Sequence, residues 1–161
     1  MASSFQFNQG CQANLGTVFD IGAGSGDNEF NFMSADATAV LTPTYSANPI
    51  TAGNNSFSVG IRGHWTGTFN SIANIKVWWS KTLTGYGTSA DIMASVQASV
   101  WTPSATATGD SSAPTSQGSG LAPTYSANYS QWTRHQLQTQ VTAAAPGDGG
   151  TSTLSLSWDE T

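Results

Sequence analysis

Charge is what this sequence has least of. Asp, Glu, Lys and Arg make up 8% of its 161 residues, against roughly 25% in an ordinary soluble domain, and Arg62, Lys76, Lys81 and Arg134 are the only basic side chains besides two histidines. With nine acidic residues against those four, the net charge is -5. Such a surface does not suit a phosphate backbone or an anionic membrane, so neither nucleic acid nor membrane is expected as a partner. Cysteine is scarcer still. Cys11 alone excludes an intramolecular disulfide framework and every multi-cysteine zinc motif. With no Lys, Arg or His close to it in sequence, it reads as a buried thiol and not a reactive one. No window approaches the ~18 apolar residues of a membrane span. The start, Met1 to Asn8, has neither the basic head nor the apolar run of a secretory signal, and synthesis in a cytoplasm without export by that route is expected.

Recognisable catalytic chemistry is missing as well. His64 and His135 are the only histidines, and a two-histidine metal site lacks a third ligand that the sequence places near them. No Gly-x-Ser-x-Gly elbow occurs; Gly22-Ala-Gly-Ser-Gly26 misses it by one position. None of the nine acids lies on an apolar strand face, where burial would raise its pKa for glycoside cleavage. The glycine loop itself fails as a phosphate cradle, because no Lys follows and no amphipathic helix opens after it. Its oxygens, on Asp20, Asp27, Asn28 and Glu29, do not match the alternating calcium-loop spacing. A plain hairpin loop is therefore favoured over a metal site. No catalytic residue, cofactor or metal ligand is assigned, and an enzyme is not expected.

What the sequence does have is alternation. Phe57, Val59, Ile61 and Trp65 share one face while Ser58, Gly60, Arg62 and His64 take the other, and Ile75, Val77 and Trp79 repeat the pattern after a Gly/Asn/Ser-rich connection. The simplest arrangement makes these two runs neighbouring antiparallel strands at the centre of a sheet. Phe5 and Phe7 suggest a short first strand or, with residues 1–16, a strapping arm. Val18, Phe19 and Ile21 form a strand before the glycine loop, and Phe30 and Phe32 resume it afterwards. Residues 91–101 alternate strictly and end at Pro103. Trp132, Leu137 and Val141 mark a Gln/Thr-rich strand. The turn at 145–150 leads into a last strand with Leu154, Leu156 and Trp158, which reads as a hairpin. Without a long amphipathic helix, the fold class is all-β: a single-domain, antiparallel two-sheet sandwich over 1–161, immunoglobulin-like or jelly-roll-like, with about eight short strands and long Ser/Thr/Gly loops.

Two features point to contacts with other molecules. Residues 102–120 are almost wholly Ser, Thr, Ala, Gly and Pro, with Asp110 as the one charge; such a composition does not order itself, so a neighbouring molecule is expected to hold this long polar loop. The second feature is the aromatic content. In the Trp78-Trp79 pair, strand geometry sends the two rings to opposite faces, which leaves Trp78 either at an interface or packed under the long Ser/Thr loop. An octapeptide also recurs, Leu41-Thr-Pro-Thr-Tyr-Ser-Ala-Asn48 and Leu121-Ala-Pro-Thr-Tyr-Ser-Ala-Asn128, with seven identities in eight, consistent with two equivalent corners of a sandwich. Trp78, Trp101, Tyr45 and Tyr125 are the candidate interface residues.

Ser71-Ile-Ala-Asn-Ile-Lys-Val-Trp-Trp79, the stretch Tyr129-Ser-Gln-Trp-Thr-Arg-His-Gln-Leu-Gln-Thr-Gln-Val141, the Ala145-Pro-Gly turn and the terminal Leu156-Ser-Trp-Asp-Glu-Thr161 together resemble small β-sandwich virion proteins of tailed bacteriophages. Trp158 stands where tyrosine is expected in that pattern, and the first fifty residues carry none of it. The resemblance implies a non-enzymatic structural protein of the virion: a capsid-surface decoration or cement protein bridging major capsid subunits, in contact with other virion subunits and with further copies of itself as a homo-oligomer. The alternative it implies is a tail or baseplate component, or a receptor-binding domain that stacks host glycans on exposed tryptophans.

Overall fold

The computed structural model describes residues 3–21, 32–36, 48–83, 90–106, 108–138 and 152–161. These form ten strands in two antiparallel sheets: β1 (Ser3–Cys11), β2 (Thr17–Ile21), β3 (Val59–Gly67), β4 (Ile72–Ser80), β5 (Asp91–Val96), β6 (Ser111–Ser112), β7 (Tyr125–Ser126), β8 (Tyr129–Ser130), β9 (Thr133–Gln138) and β10 (Thr153–Glu160). The larger sheet runs β2-β1-β3-β9-β5-β6, with the small β7–β8 hairpin joined to β3 through β8; the smaller sheet is β10-β4. The fold is all-β, as the alternation requires.

The two central runs are strands but not partners. β3 pairs with β1, β8 and β9, whereas β4 pairs with β10, so the connection between β3 and β4 crosses from one sheet to the other. Val59, Ile61 and Trp65 of β3 and Ile75, Val77 and Trp79 of β4 are all buried, because the two apolar faces oppose each other. Trp79 packs on Ile92, Ala94 and Leu137 of the larger sheet. Trp65 clusters with Ile72, Ile75 and Val77 of the smaller one. At about 1.5–3 kcal/mol for each large side chain removed from water, these contacts are the main force holding the sheets together. Gly63 lets Trp65 fill this space, since a Cβ there would sit 2.6 Å from the indole.

Several expectations are corrected by the pairing. Of the two readings for the first residues, a strand or an arm, Ser3–Cys11 form the strand: β1 lies inside the larger sheet between β2 and β3. The strand expected over 91–101 stops at Val96, and Val100 is exposed. The last strand's partner among the described residues is β4, while the turn at 145–150 and Val141 lie outside them, as do residues 22–30 of the glycine loop and Tyr45. The loop at 102–120 is held by its own chain. Ser58 N–H donates to the Ser104 carbonyl (3.0 Å), Ala113 N–H to Ile92 O (2.8 Å) and Trp79 N–H to Pro114 O (2.9 Å), β6 pairs with β5, and Ala113 is buried. Its single charge is the main anchor: Asp110 accepts two bonds from Arg134 Nε at 3.0 and 3.1 Å, one from Arg134 Nη2 at 2.8 Å and another from Ser95.

The second copy of the octapeptide has a clear structural role. It leads through β7 into a two-residue turn, Ala127–Asn128, with positive φ at both positions (49° and 73°), as a type I′ hairpin turn needs. Ser126 and Tyr129 pair across it. The first copy, apart from Asn48, lies outside the described residues.

Candidate interaction surface

The outward face of the larger sheet is set by register. Gly60, Arg62 and His64 on β3 oppose Gly10, Asn8 and Gln6 on β1, and Arg134 faces Gly60 from β9. The glycines leave room for large side chains to lie flat on the strands. A Cβ on Gly10 would meet the Trp132 ring at 2.9 Å and Leu15 at 3.0 Å, and one on Gly60 would meet Leu15 at 3.0 Å and Trp101 at 3.2 Å. Leu15 is delivered by a tight turn with positive φ at Gln12, Asn14 and Leu15.

Next to this apolar cover lies a stack built on Arg62. Its guanidinium carbon is 3.8 Å from the centroid of the Tyr129 ring and 4.4 Å from that of Trp132, cation–π distances on two rings at once. His64, two residues along the same face, stacks on Tyr129 at 4.4 Å and 16°, and its Nδ1 lies 3.2 Å from Gln6 Nε2. Asn8 donates through Nδ2 to Asp20 on β2. The β7–β8 hairpin positions Tyr129, and the chain then places Trp132 three residues on. Partial burial lowers the Arg62 pKa from its ordinary value, an effect opposed by the neighbouring Tyr129. Arg62 Nε is buried without a hydrogen-bond partner.

The candidate interface residues are not brought together. Trp78 is half-buried on the outer face of β4, opposite Ser155. Trp101 is half-buried on the far sheet and donates its indole N–H to Ser58 Oγ at 3.1 Å. Tyr125 packs edge-on to Trp65 and Phe69 and donates its hydroxyl to Asn128 Oδ1 at 3.1 Å, which places it at the rim of the core. Of the six tryptophans, Trp65, Trp79 and Trp132 are buried and Trp78, Trp101 and Trp158 half-buried; none is exposed.

Three other titratable groups, Cys11, His135 and Asp91, are partly or fully buried. Cys11 is buried, and burial, helped by Asp36, pushes its thiol up to about 11. His135 is fully buried, which pushes it down to about 3 despite an opposing effect from Asp110. Burial also disfavours the charged form of Asp91, but hydrogen bonds from Lys81 and Ser112 and the Lys81 charge outweigh it and lower its pKa. Among the described residues no three His, Cys, Asp or Glu side chains gather as a metal group would require. A cavity of about 10 Å³ beside Gln9, Asp36 and Ser58 has room for one water. Sequence reasoning placed Arg62 and His64 on one face but missed the stack, because its rings come from residues more than sixty positions away. No family model, curated protein or solved structure matches this chain.

Proposed function

We propose that the protein is a structural subunit of a tailed-bacteriophage virion, a decoration protein that binds the capsid surface, bridges major capsid subunits and contacts further copies of itself. The observation that supports this reading most is that two stretches carrying the virion-protein resemblance form one unit. Ser71–Trp79 and Leu156–Thr161 meet as β4 and β10, and the chain end is tied in by Asn70 N–H and Ser71 N–H donating to Thr161 O at 2.6 and 3.0 Å. Motifs that fold onto each other are a better sign of kinship than short strings scattered over a surface.

The surface suits permanent lateral contact. Edge strands usually carry lysine, proline or bulges that deter pairing with other chains. β2 carries none of these: its outer side is unpaired among the described residues, Asp20 is its one charge, and Val18 is exposed. Strand addition by a neighbouring subunit is a recognised use of such an edge. With three tryptophans buried and three half-buried, none is exposed, which favours this reading over glycan stacking, where an open ring face is needed. A density map of the particle tests the proposal: the chain should lie on the outer shell between capsid subunits. A location in the tail would overturn it.

A further inference from the structure

We propose that Arg62 is a receptor for a carboxylate presented by a neighbouring protein subunit; the source of that carboxylate rests on the structural role proposed above, but the chemistry of the site does not. Lys81 and Arg134 are engaged by Asp91 and Asp110. Arg62, by contrast, has no carboxylate within ion-pair distance among the described residues, and its buried Nε has no hydrogen-bond partner. A cation that lacks an anionic partner among the described residues, yet is partly withdrawn from water, is best accounted for by an anion that arrives from outside.

The stack determines what kind of anion. Tyr129 and Trp132 lie against the guanidinium at 3.8 and 4.4 Å and Nε is buried, so the Nη edge is the part left to bind. That edge is a planar fork matching the two oxygens of a carboxylate. Because the rings hold the side chain in place before binding, little rotamer freedom remains to be lost. A pyranose would need a ring face, but Trp132 is 9% exposed and Tyr129 is already stacked with Arg62 and His64. A phosphate calls for more positive charge than one guanidinium, and Arg134, on the same face, is neutralised by Asp110. A singly charged carboxylate, from an Asp or Glu side chain or a chain terminus, remains.

The test uses the intact purified protein and follows the Arg62 Nε–H and Trp132 indole N–H signals by NMR. Three probes are titrated: the blocked amino acid N-acetyl-glutamate N-methylamide, methyl glucuronide and methyl phosphate. The blocked glutamate should shift both signals saturably, with a Kd on the order of millimolar. Arg62→Lys, which keeps the charge and loses the fork, should weaken binding at least fivefold by the Trp132 signal. Absence of saturable shifts with the glutamate probe would overturn the proposal, as would unchanged affinity in a folded Arg62→Lys protein. Phosphate binding as tightly as the carboxylate would overturn the assigned anion, and a glucuronide binding more than tenfold tighter would overturn the protein source. None of these titrations requires a particle, so failure of the decoration reading would be seen separately, in the particle map.

Discussion

Asn74 and Asp159 are 85 residues apart in sequence and share a hydrogen bond, in which Asn74 Nδ2 donates to Asp159 Oδ2 at 2.6 Å. The bond sits on an irregularity of the β4–β10 ladder. Register runs from Lys76 opposite Ser157 to Ala73 opposite Asp159, so β4 has one residue more than its partner, and Asn74 takes the positive φ of 51° that this bulge needs. The extra residue turns Ile72 and Ile75, three apart, toward the same buried side.

Asn74→Ala should remove both the bond and the residue type that tolerates positive φ. The expected loss is about 1–2 kcal/mol, a fall in Tm of roughly 2–8 °C for a chain of this size. Asn74→Gly, which restores the backbone freedom alone, should fall between the two.

Asp110→Ala should release the loop over residues 103–120. It leaves Arg134, whose side chain is 13% exposed, without its carboxylate, and breaking a buried pair in this way costs about 3–5 kcal/mol. Limited proteolysis checks it: the loop should resist cleavage in the isolated wild-type protein and become the first site cut in the variant.

The buried imidazole of His135 should make stability depend on pH. Trp79 Nε1 donates to its Nδ1 at 3.1 Å, so the proton sits on Nε2, which faces Thr133 Oγ1 at 2.8 Å; the Thr133 hydroxyl donates to Ile61 O at 2.9 Å. Both ring nitrogens are therefore used by the neutral form. With an ordinary pKa of 6.5 and a folded value of about 3, the unfolded chain binds a proton that the folded chain refuses between those limits. The contribution is complete above pH 6.5 and is lost as pH falls toward 3. Denaturant titrations should show about 2 kcal/mol lost by pH 5 relative to pH 7, and a folded His135→Gln protein should lack that part of the decline.

Strand faces were legible in the sequence where strand neighbours were not. Alternation put Val59, Ile61 and Trp65 inside and Arg62 and His64 outside, but a period of two says which side a residue takes and nothing about the strand beside it. Hence β3 and β4, adjacent in sequence, look like partners in the pattern although each pairs with other strands. The loop at 102–120 misled for a related reason. Composition averaged over nineteen residues conceals the few that anchor it, and the groups that hold Asp110, Ala113 and Pro114 belong to Arg134, Ile92 and Trp79. The Arg62 stack needed the β7–β8 turn as well. Its sign in the sequence was the repeated Tyr-Ser-Ala-Asn, whose second copy ends in two residues with positive φ.

In the proposed decoration role, the chain stabilises an assembled particle by binding it. A ligand that binds only the assembled state raises that state's stability, so particles depleted of the protein should release their genome at a lower temperature than intact ones, should recover when it is added back, and should adsorb to cells normally throughout. Depleted particles that are as heat-stable as intact ones but fail to adsorb would contradict it.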